Sequence, residues 1–400
     1  MDLELFTAAA PGSLVDIFGG GVGDAEWRRK AFVPDPLESS TPEHLSSQTY
    51  RRVSEARAAL ASLDSIARFI PNPALFRAPT LRQEAQSTSE LEGTYAPLRE
   101  VLTASSNETH SSELQEVLNY AVMAEHGFER LQEGYPLNLS LLTDLHGILM
   151  GASAHTAQAG KLRGTQVVIG VRDNADPELP GVQRARFVPI PPGAELEIQV
   201  RQLLDWLNTD HSDRIDPVIV AAMGHYQFET LHPFSDGNGR LGRYLIVTTL
   251  HHAGAISDFT LTVSPWFEKR RAAYYDALLG VSTRGDWDTY IGFFAKGIAA
   301  AAADTERQMQ ELHRLHRDLQ QRVTTLGSRS ALLPRIIDRV VSHTTVTVAE
   351  LHQELQVTRV TVHRLLKLLV QHGVLAVVDP DAHTHRYYAP EVLELLLRNR

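Results

Sequence analysis

His232-Pro-Phe-Ser-Asp-Gly-Asn-Gly-Arg-Leu-Gly-Arg243 is the stretch on which the reading of this chain turns. It brings a base, a carboxylate, two glycines around an asparagine and two arginines into one short segment. A histidine takes a proton near neutral pH. The Asp236 carboxylate suits Mg²⁺, which takes one or two carboxylates beside phosphate oxygens. Gly237 and Gly239 let the backbone approach an anion and turn N–H groups onto it. Arg240 and Arg243 offer planar forks for phosphate oxygens.

The flanks place this chemistry at a loop-to-helix junction. Upstream, Pro217 to Leu231 carries apolar residues at helical spacing, with Pro217 suited to a first turn. Downstream, Leu241 to Leu250 is mostly apolar and predicts a buried helix ending before Gly254. The Asp-Gly-Asn-Gly loop therefore feeds a helix N-terminus, where free N–H groups and the dipole favour an anion. Arg240 and Arg243, three apart, fall on one face of its first turn. A helix–helix turn with surface charges is the plainer alternative, and it leaves the common chemical theme of these residues unexplained.

The segment resembles the motif of the Fic family, H-P-F-x-(D/E)-G-N-G-R-x-x-R, at every specified position. Members of that family are mostly AMP transferases, moving AMP from ATP to a Tyr, Thr or Ser hydroxyl of a protein. The resemblance implies His232 as general base, Asp236 as Mg²⁺ ligand and Phe234 as an inward anchor of the loop. It implies Gly237, Asn238 and Gly239 as the anion hole for the α- and β-phosphates, Arg240 near the β-phosphate and Arg243 on the γ-phosphate. The chemistry is coherent by itself, since such transfers need positioning and charge neutralisation more than covalent help from the protein.

Thr88, Glu92 and Gly93 resemble the family's inhibitory pattern (S/T)-x-x-x-E-(G/N). The resemblance implies that Glu92 occupies Arg243 and obstructs the γ-phosphate. Read without the resemblance, the same residues are a helix C-terminus with Gly93 as its stop.

Further segments extend the likeness. Phe32–Leu37 and Ile70–Ala74 resemble the entry to the family's N-terminal region. Lys161–Gly170 and Arg186–Pro192 resemble the two arms of its flap, a hairpin that pairs with the target backbone; Gln166–Ile169 reads as a short strand. Arg271–Leu278 resembles the helix beside the adenine, with Tyr275 and Leu278 as candidate contacts, although a Tyr-Tyr pair on an amphipathic helix is as well explained by packing. Ser282 stands where some relatives carry an asparagine.

Four hundred residues suit two or three domains. A hydrophobic content of 43% and a net charge of −10 describe an ordinary globular composition without a global basic field. The chain has no cysteine, which removes disulfides, thiol nucleophiles and thiolate zinc sites and is compatible with a cytoplasmic location. Met1-Asp-Leu-Glu-Leu-Phe lacks a basic n-region, so no signal peptide is expected, and no apolar run suits a membrane span. Residues 1–45, rich in Gly, Pro and Ser, read as an irregular arm. Residues 46–150 read as helices carrying the inhibitory pattern at 88–93, and 151–325 as the core with its flap at about 161–192. Thr324–Ser330 reads as a linker. The fold expected is mainly α, a Fic-type helical core with a β-hairpin flap and a C-terminal winged helix-turn-helix.

That last unit, residues 331–400, is read from helix, helix, short turn, helix and hairpin. Thr347-x-x-Glu350 has capping-box spacing, and Thr358, Arg359, Thr361, Arg364 and Lys367 would face outward. Eight Lys/Arg against seven Asp/Glu is a weak basic balance, so DNA binding and protein recognition stand as equal readings. Six scattered histidines show no metal-ligand spacing. Two functions compete: an autoinhibited AMP transferase using ATP and Mg²⁺ on a hydroxyl-bearing protein, and a DNA-binding regulator with the core as nucleotide sensor. Use of another nucleotide or removal of AMP stays open within the first, as does the oligomeric state.

Overall fold

A computed structural model describes residues 1–19, 27–40, 42, 44–70, 72, 74–104, 110–151, 156–172, 175–176, 178–326, 331–382 and 384–398. The chain is mainly helical, as expected, with seven short strands among the described residues. Two helices form its centre, Pro217–Leu231 and Asn238–His252, and nearly every residue of both is buried. A helix apolar around its whole circumference must be surrounded. The flanking layers are Ser47–Phe69, Ala74–Leu91, Ser112–Gln132, Leu139–Met150, Ala194–Asn208 and Arg271–Arg284. The 38-residue helix Trp287–Thr324 packs along the 47–69 helix and continues to the C-terminal unit. No described helix is long and apolar enough to cross a membrane.

The 217–231 helix starts where Asp216 accepts the Val218 N–H (2.8 Å), with Pro217 in the first turn. It stops at His232, whose backbone turns left-handed (φ 49°, ψ 61°) while its N–H still reaches the Phe228 carbonyl (3.0 Å). That conformation is uncommon for a residue with a side chain. It breaks the helix and leaves the imidazole lining a cavity.

The N-terminal arm is not irregular. Strands β1 (Gly12–Gly19) and β2 (Trp27–Pro34) pair antiparallel from Gly12 opposite Pro34 to Gly19 opposite Trp27. The alternation that buries Ile17 and half-buries Val15 was masked in the sequence by the surrounding Gly, Pro and Ser. Strands β3 (Ile169–Val171) and β4 (Ala185–Phe187) form the flap. Pairing begins at Ile169 rather than running through Gln166–Ile169, and the Gln166 side-chain amide donates to the carbonyls of Val167 (3.0 Å) and Pro189 (2.9 Å). The two hairpins join: Phe32 N–H donates to the Val188 carbonyl at 2.9 Å, and Ile17, Ala31, Ala185 and Val188 bury one another. The flap thus has a backing that its own short strands do not provide.

The C-terminal unit runs Leu332–His343, β5 (Thr345–Thr347), Val348–Leu355, Arg359–Gln371, β6 (Ala376–Val377), β7 (Arg386–Tyr388) and Pro390–Arg398, with strand order β5-β7-β6. Thr347 and Glu350 form a capping box. Thr358, Arg359, Arg364 and Lys367 are exposed, whereas Thr361 is half-buried. The expected linker residues 327–330 lie outside the described residues, and Thr324 still belongs to the long helix. The unit packs on the 74–91 helix: the Gln83 amide donates to the Leu396 carbonyl (2.7 Å), and Arg82 donates to Thr344 Oγ1 (3.3 Å).

Candidate active site

The left-handed turn at His232 is held from outside. Arg163 is 2% exposed, its Nε donates to the His232 carbonyl (2.8 Å), and its guanidinium also reaches the carbonyls of Leu231 and Ile190. Its own N–H donates to the Pro233 carbonyl (2.9 Å). Burial brings this guanidinium down to about 10. One side chain from the base of the flap therefore gathers the carbonyls that the helix break leaves without partners.

The imidazole has a defined tautomer. His232 Nδ1 lies 3.3 Å from the Glu229 carbonyl, which can only accept, so Nδ1 carries the proton and Nε2 presents its lone pair. Burial, only partly opposed by the Glu92 carboxylate, pushes the ring down to about 4. It is neutral at physiological pH and able to take a proton. It lines a cavity of about 300 Å³ together with Glu92, Ile169, Tyr275, Leu278 and Ser282.

Asn238 shapes the loop. Its side-chain oxygen accepts from Phe234 N–H and its amide donates to the Phe234 carbonyl, both at 2.9 Å, and it is 1% exposed. Its amide is engaged there, so what Asn238 offers an anion is its backbone N–H at the start of the 238–252 helix. Phe234 is fully buried and stacks on His146 at 3.9 Å. His146 Nδ1 accepts from Gly160 N–H (2.9 Å), leaving Nε2–H to donate to the Asp236 carbonyl (3.1 Å). Burial pushes this ring down to about 4 as well. Gly237 is left-handed (φ 77°), and a Cβ there would stand 3.1 Å from Leu149 and Met150. Asp236 Oδ1 accepts from Gly237 N–H (2.6 Å) and from Arg240 (3.5 Å). A single carboxylate beside a helix N-terminus fits a Mg²⁺ that arrives with phosphate oxygens. Among the described residues no group of three or more His, Asp or Glu could hold a metal without them.

Both motif arginines are fully buried, and each already holds a carboxylate. Arg243 Nε donates to Thr88 Oγ1 (2.7 Å), while Nη2 donates to the Thr88 carbonyl (2.9 Å) and to Glu92 Oε1 (2.8 Å). Arg240 is ion-paired with Glu116 of the 112–132 helix, which also accepts from Thr94 (3.2 Å). The two arginines share a helical face yet serve different neighbours. Glu92 follows the last turn of the 74–91 helix. Thr94 N–H returns to the Ser89 carbonyl (3.0 Å) and Gly93 N–H to Glu90 (3.1 Å), a Schellman closure requiring the left-handed Gly93 (φ 93°). One row of that helix docks on the core: Glu84 bonds Ser264, while Thr88 and Glu92 bond Arg243.

Tyr275 donates to the Leu91 carbonyl at 3.4 Å and half-lines the cavity with Leu278, so cavity lining and packing both describe it. Ser282 is 3.0 Å from the Tyr226 hydroxyl. Sequence reading missed His146, Arg163, Glu116 and Glu229. Glu229 Oε1 is buried with no hydrogen-bond partner among the described residues, and burial drives its carboxyl well above the ordinary range. Its position one turn before His232 was the only local signal.

Residues 50–129 match the Fic/DOC family N-terminal model and residues 136–250 the Fic/DOC family model. The protein adenylyltransferase fic-1 of Caenorhabditis briggsae is 32% identical over 165 residues, 41% of this chain and 28% of that one. The protein adenylyltransferase Fic of Drosophila virilis is 28% identical over 184 residues, 46% of this chain and 33% of that one. The chain thus spans about a third or less of the length of these curated relatives. In fold it is similar to a Fic family protein from Desulfovibrio desulfuricans G20, with a TM-score of 0.52 and 20% identity, covering 87% of this chain and 97% of that one. The two family matches include the Thr88–Gly93 helix end and the His232–Arg243 loop, so residues 50–129 and 136–250 carry a Fic/DOC N-terminal domain and a Fic/DOC domain.

Proposed function

We propose that the chain is an autoinhibited protein adenylyltransferase, transferring AMP from ATP to a Tyr, Thr or Ser hydroxyl of a protein, itself included. The observation that carries this reading is the pairing of a neutral, cavity-lining His232 with a cluster of buried arginines of which Arg243 is held by Glu92. The hydroxyl oxygen attacks the α-phosphorus as His232 Nε2 takes its proton. The bond from the α-phosphorus to the bridging oxygen breaks, and pyrophosphate leaves. The N–H groups of Asn238 and Gly239 and the two arginines offset charge on the phosphates. Asp236 would hold Mg²⁺, which neutralises triphosphate charge when bound. The flap edge at β3 suits pairing with a target strand.

In the state described, Arg243 belongs to Glu92. A carboxylate on a phosphate-binding fork competes for its donors and repels the γ-phosphate. The test is incubation with labelled ATP and Mg²⁺, comparing the native chain with Glu92→Gly and His232→Ala. The expected order is weak, strong and none; equal labelling of all three would overturn the reading.

A second reading concerns residues 331–398. The exposed row Arg359, Arg364 and Lys367 on the 359–371 helix suits nucleic-acid phosphates in a winged-helix arrangement. A gel shift at moderate salt, repeated with all three replaced by alanine, tests it. An identical shift, or none from either protein, would count against DNA.

A further inference from the structure

The face of the 74–91 helix adjoining the Glu84–Thr88–Glu92 row opens on a second cavity, of about 430 Å³. Gln83, Gln86 and Ser87 form its inner wall, and all three are buried. The remaining walls come from Pro265–Arg270, the long 287–324 helix and the C-terminal helix 390–398. It shares no lining residue with the cavity at His232.

Its charge is lopsided. Lys269, Arg270, Arg307 and Arg398 border it against one lining carboxylate, Asp304, in a chain whose net charge is −10. Asp304 pairs with Arg307, and Arg398 reaches Glu394 outside the hollow (3.1 Å). Arg270 lies over the Trp266 ring at 4.4 Å. Arg307 and Arg398 keep those carboxylate partners, so the positive charge that an anion in the hollow would offset comes mainly from Lys269 and Arg270. The depth is polar as well: the Gln308 side-chain amide donates to Gln83 Oε1, and Gln83 Nε2 in turn donates to the Leu396 carbonyl. Leu98, Pro265 and Ala300 complete an apolar floor. A basic rim, an amide wall and an apolar floor in this volume match a small-ligand site rather than a flat docking face.

We infer that this cavity is a binding site for a small multivalent anion, a metabolite carrying phosphate or carboxylate groups. Such a ligand would bridge the 74–91 helix to three neighbouring elements. It therefore favours the seated position of that helix, by its differential contacts with the two positions. Resting on the proposed inhibitory role of Glu92, occupancy here strengthens the off state.

The probes are inorganic pyrophosphate and citrate, titrated calorimetrically into the full chain without ATP, and into the Lys269→Ala/Arg307→Ala variant. Both replaced side chains are exposed, so the variant should keep the native melting temperature. The expected result is saturable binding of at least one probe, weakened at least roughly tenfold in the variant, as the loss of two charge-assisted contacts implies. Undiminished binding would place the anion elsewhere, the motif loop included, and overturn the site, as would no binding of either probe up to millimolar concentration. Hydrogen exchange over residues 83–92 tests the coupling: slowed exchange with bound probe supports it, and unchanged exchange at saturation overturns it. Neither measurement requires AMP transfer, so a chain that transfers nothing can still pass both.

Discussion

The Glu92 carboxylate lies directly over Gly239: a Cβ at that glycine would stand 2.0 Å from Glu92 Oε1. The plug therefore rests on the first turn of the 238–252 helix as well as on Arg243, in the place where N–H groups and dipole favour an anion. On the proposed reading the carboxylate occupies the phosphate's place at both. Gly239→Ala should accordingly behave unlike Glu92→Gly. It expels the carboxylate yet leaves no room for a phosphate, so nucleotide binding measured by calorimetry should fall although the plug is displaced. ATP affinity in Gly239→Ala matching that of Glu92→Gly would refute this account of the glycine.

Removing the plug should speed labelling by a definite amount. A hydrogen bond to a charged group contributes about 1.5–3 kcal/mol, which converts to roughly 10–160-fold. Glu92→Gly should raise initial labelling rates within that range, read from incorporated label over time. A change below about twofold would mean that Glu92 is not what limits ATP.

Glu116 holds the other arginine, and its loss should reveal a buried charge. Arg240 is fully buried, so Glu116→Gln leaves its guanidinium only the longer contact with Asp236 (3.5 Å). Breaking a buried pair on one side costs about 3–5 kcal/mol, here reduced because Glu116 is partly exposed. The melting temperature should fall, and ATP with Mg²⁺ should restore more of it than in the native chain. An unshifted transition would show that Arg240 finds another partner.

Arg163 should act through the backbone of His232. Arg163→Ala strands several buried carbonyls, at about 1–3 kcal/mol each. Labelling in the Glu92→Gly background should lose kcat more than KM, since the base is displaced while the phosphate cradle is untouched. A matching rise in KM alone would contradict the assignment.

Two buried rings and one buried carboxyl give stability opposite pH trends. His146 and His225 are held at about 4 and about 3 by burial, below their unfolded value. The unfolded chain then binds more protons, so their contribution is lost as pH falls below the ordinary histidine range, at about 1.4 kcal/mol per group per pH unit. Glu229 is raised, so its contribution is present below the ordinary glutamate range and lost as pH climbs toward its raised value. Melting temperature should drop from about pH 7 to about pH 5. Glu229→Gln should gain on the native chain as pH rises from about 5 to about 8; parallel curves for the two proteins would dismiss the carboxyl.

Local backbone geometry was legible where one segment contained it. Gly237 and Gly239, the proline at 217 and the helix stop at Gly93 all state backbone requirements that one residue type meets. The N-terminal hairpin was not legible, because its alternation is short and set among turn-forming residues. Asn238 was read as a phosphate contact, yet its amide is bound by Phe234 four residues earlier, a loop geometry that spacing does not reveal. Glu116 and Arg163 carry no local signal, since their partners lie 124 and 69 residues away.

The sequence by itself determined which groups stand together: a histidine, a carboxylate, two glycines around an asparagine and two arginines within twelve consecutive residues, with helices on either side. Tertiary structure decided their state. Only packing brings the 74–91 helix against the 238–252 helix, buries two arginines so that each must hold a carboxylate, and removes His232 from water so that its ring stays neutral. Those are consequences of desolvation and of contacts between distant residues, and neither has a spacing that can be read along the chain.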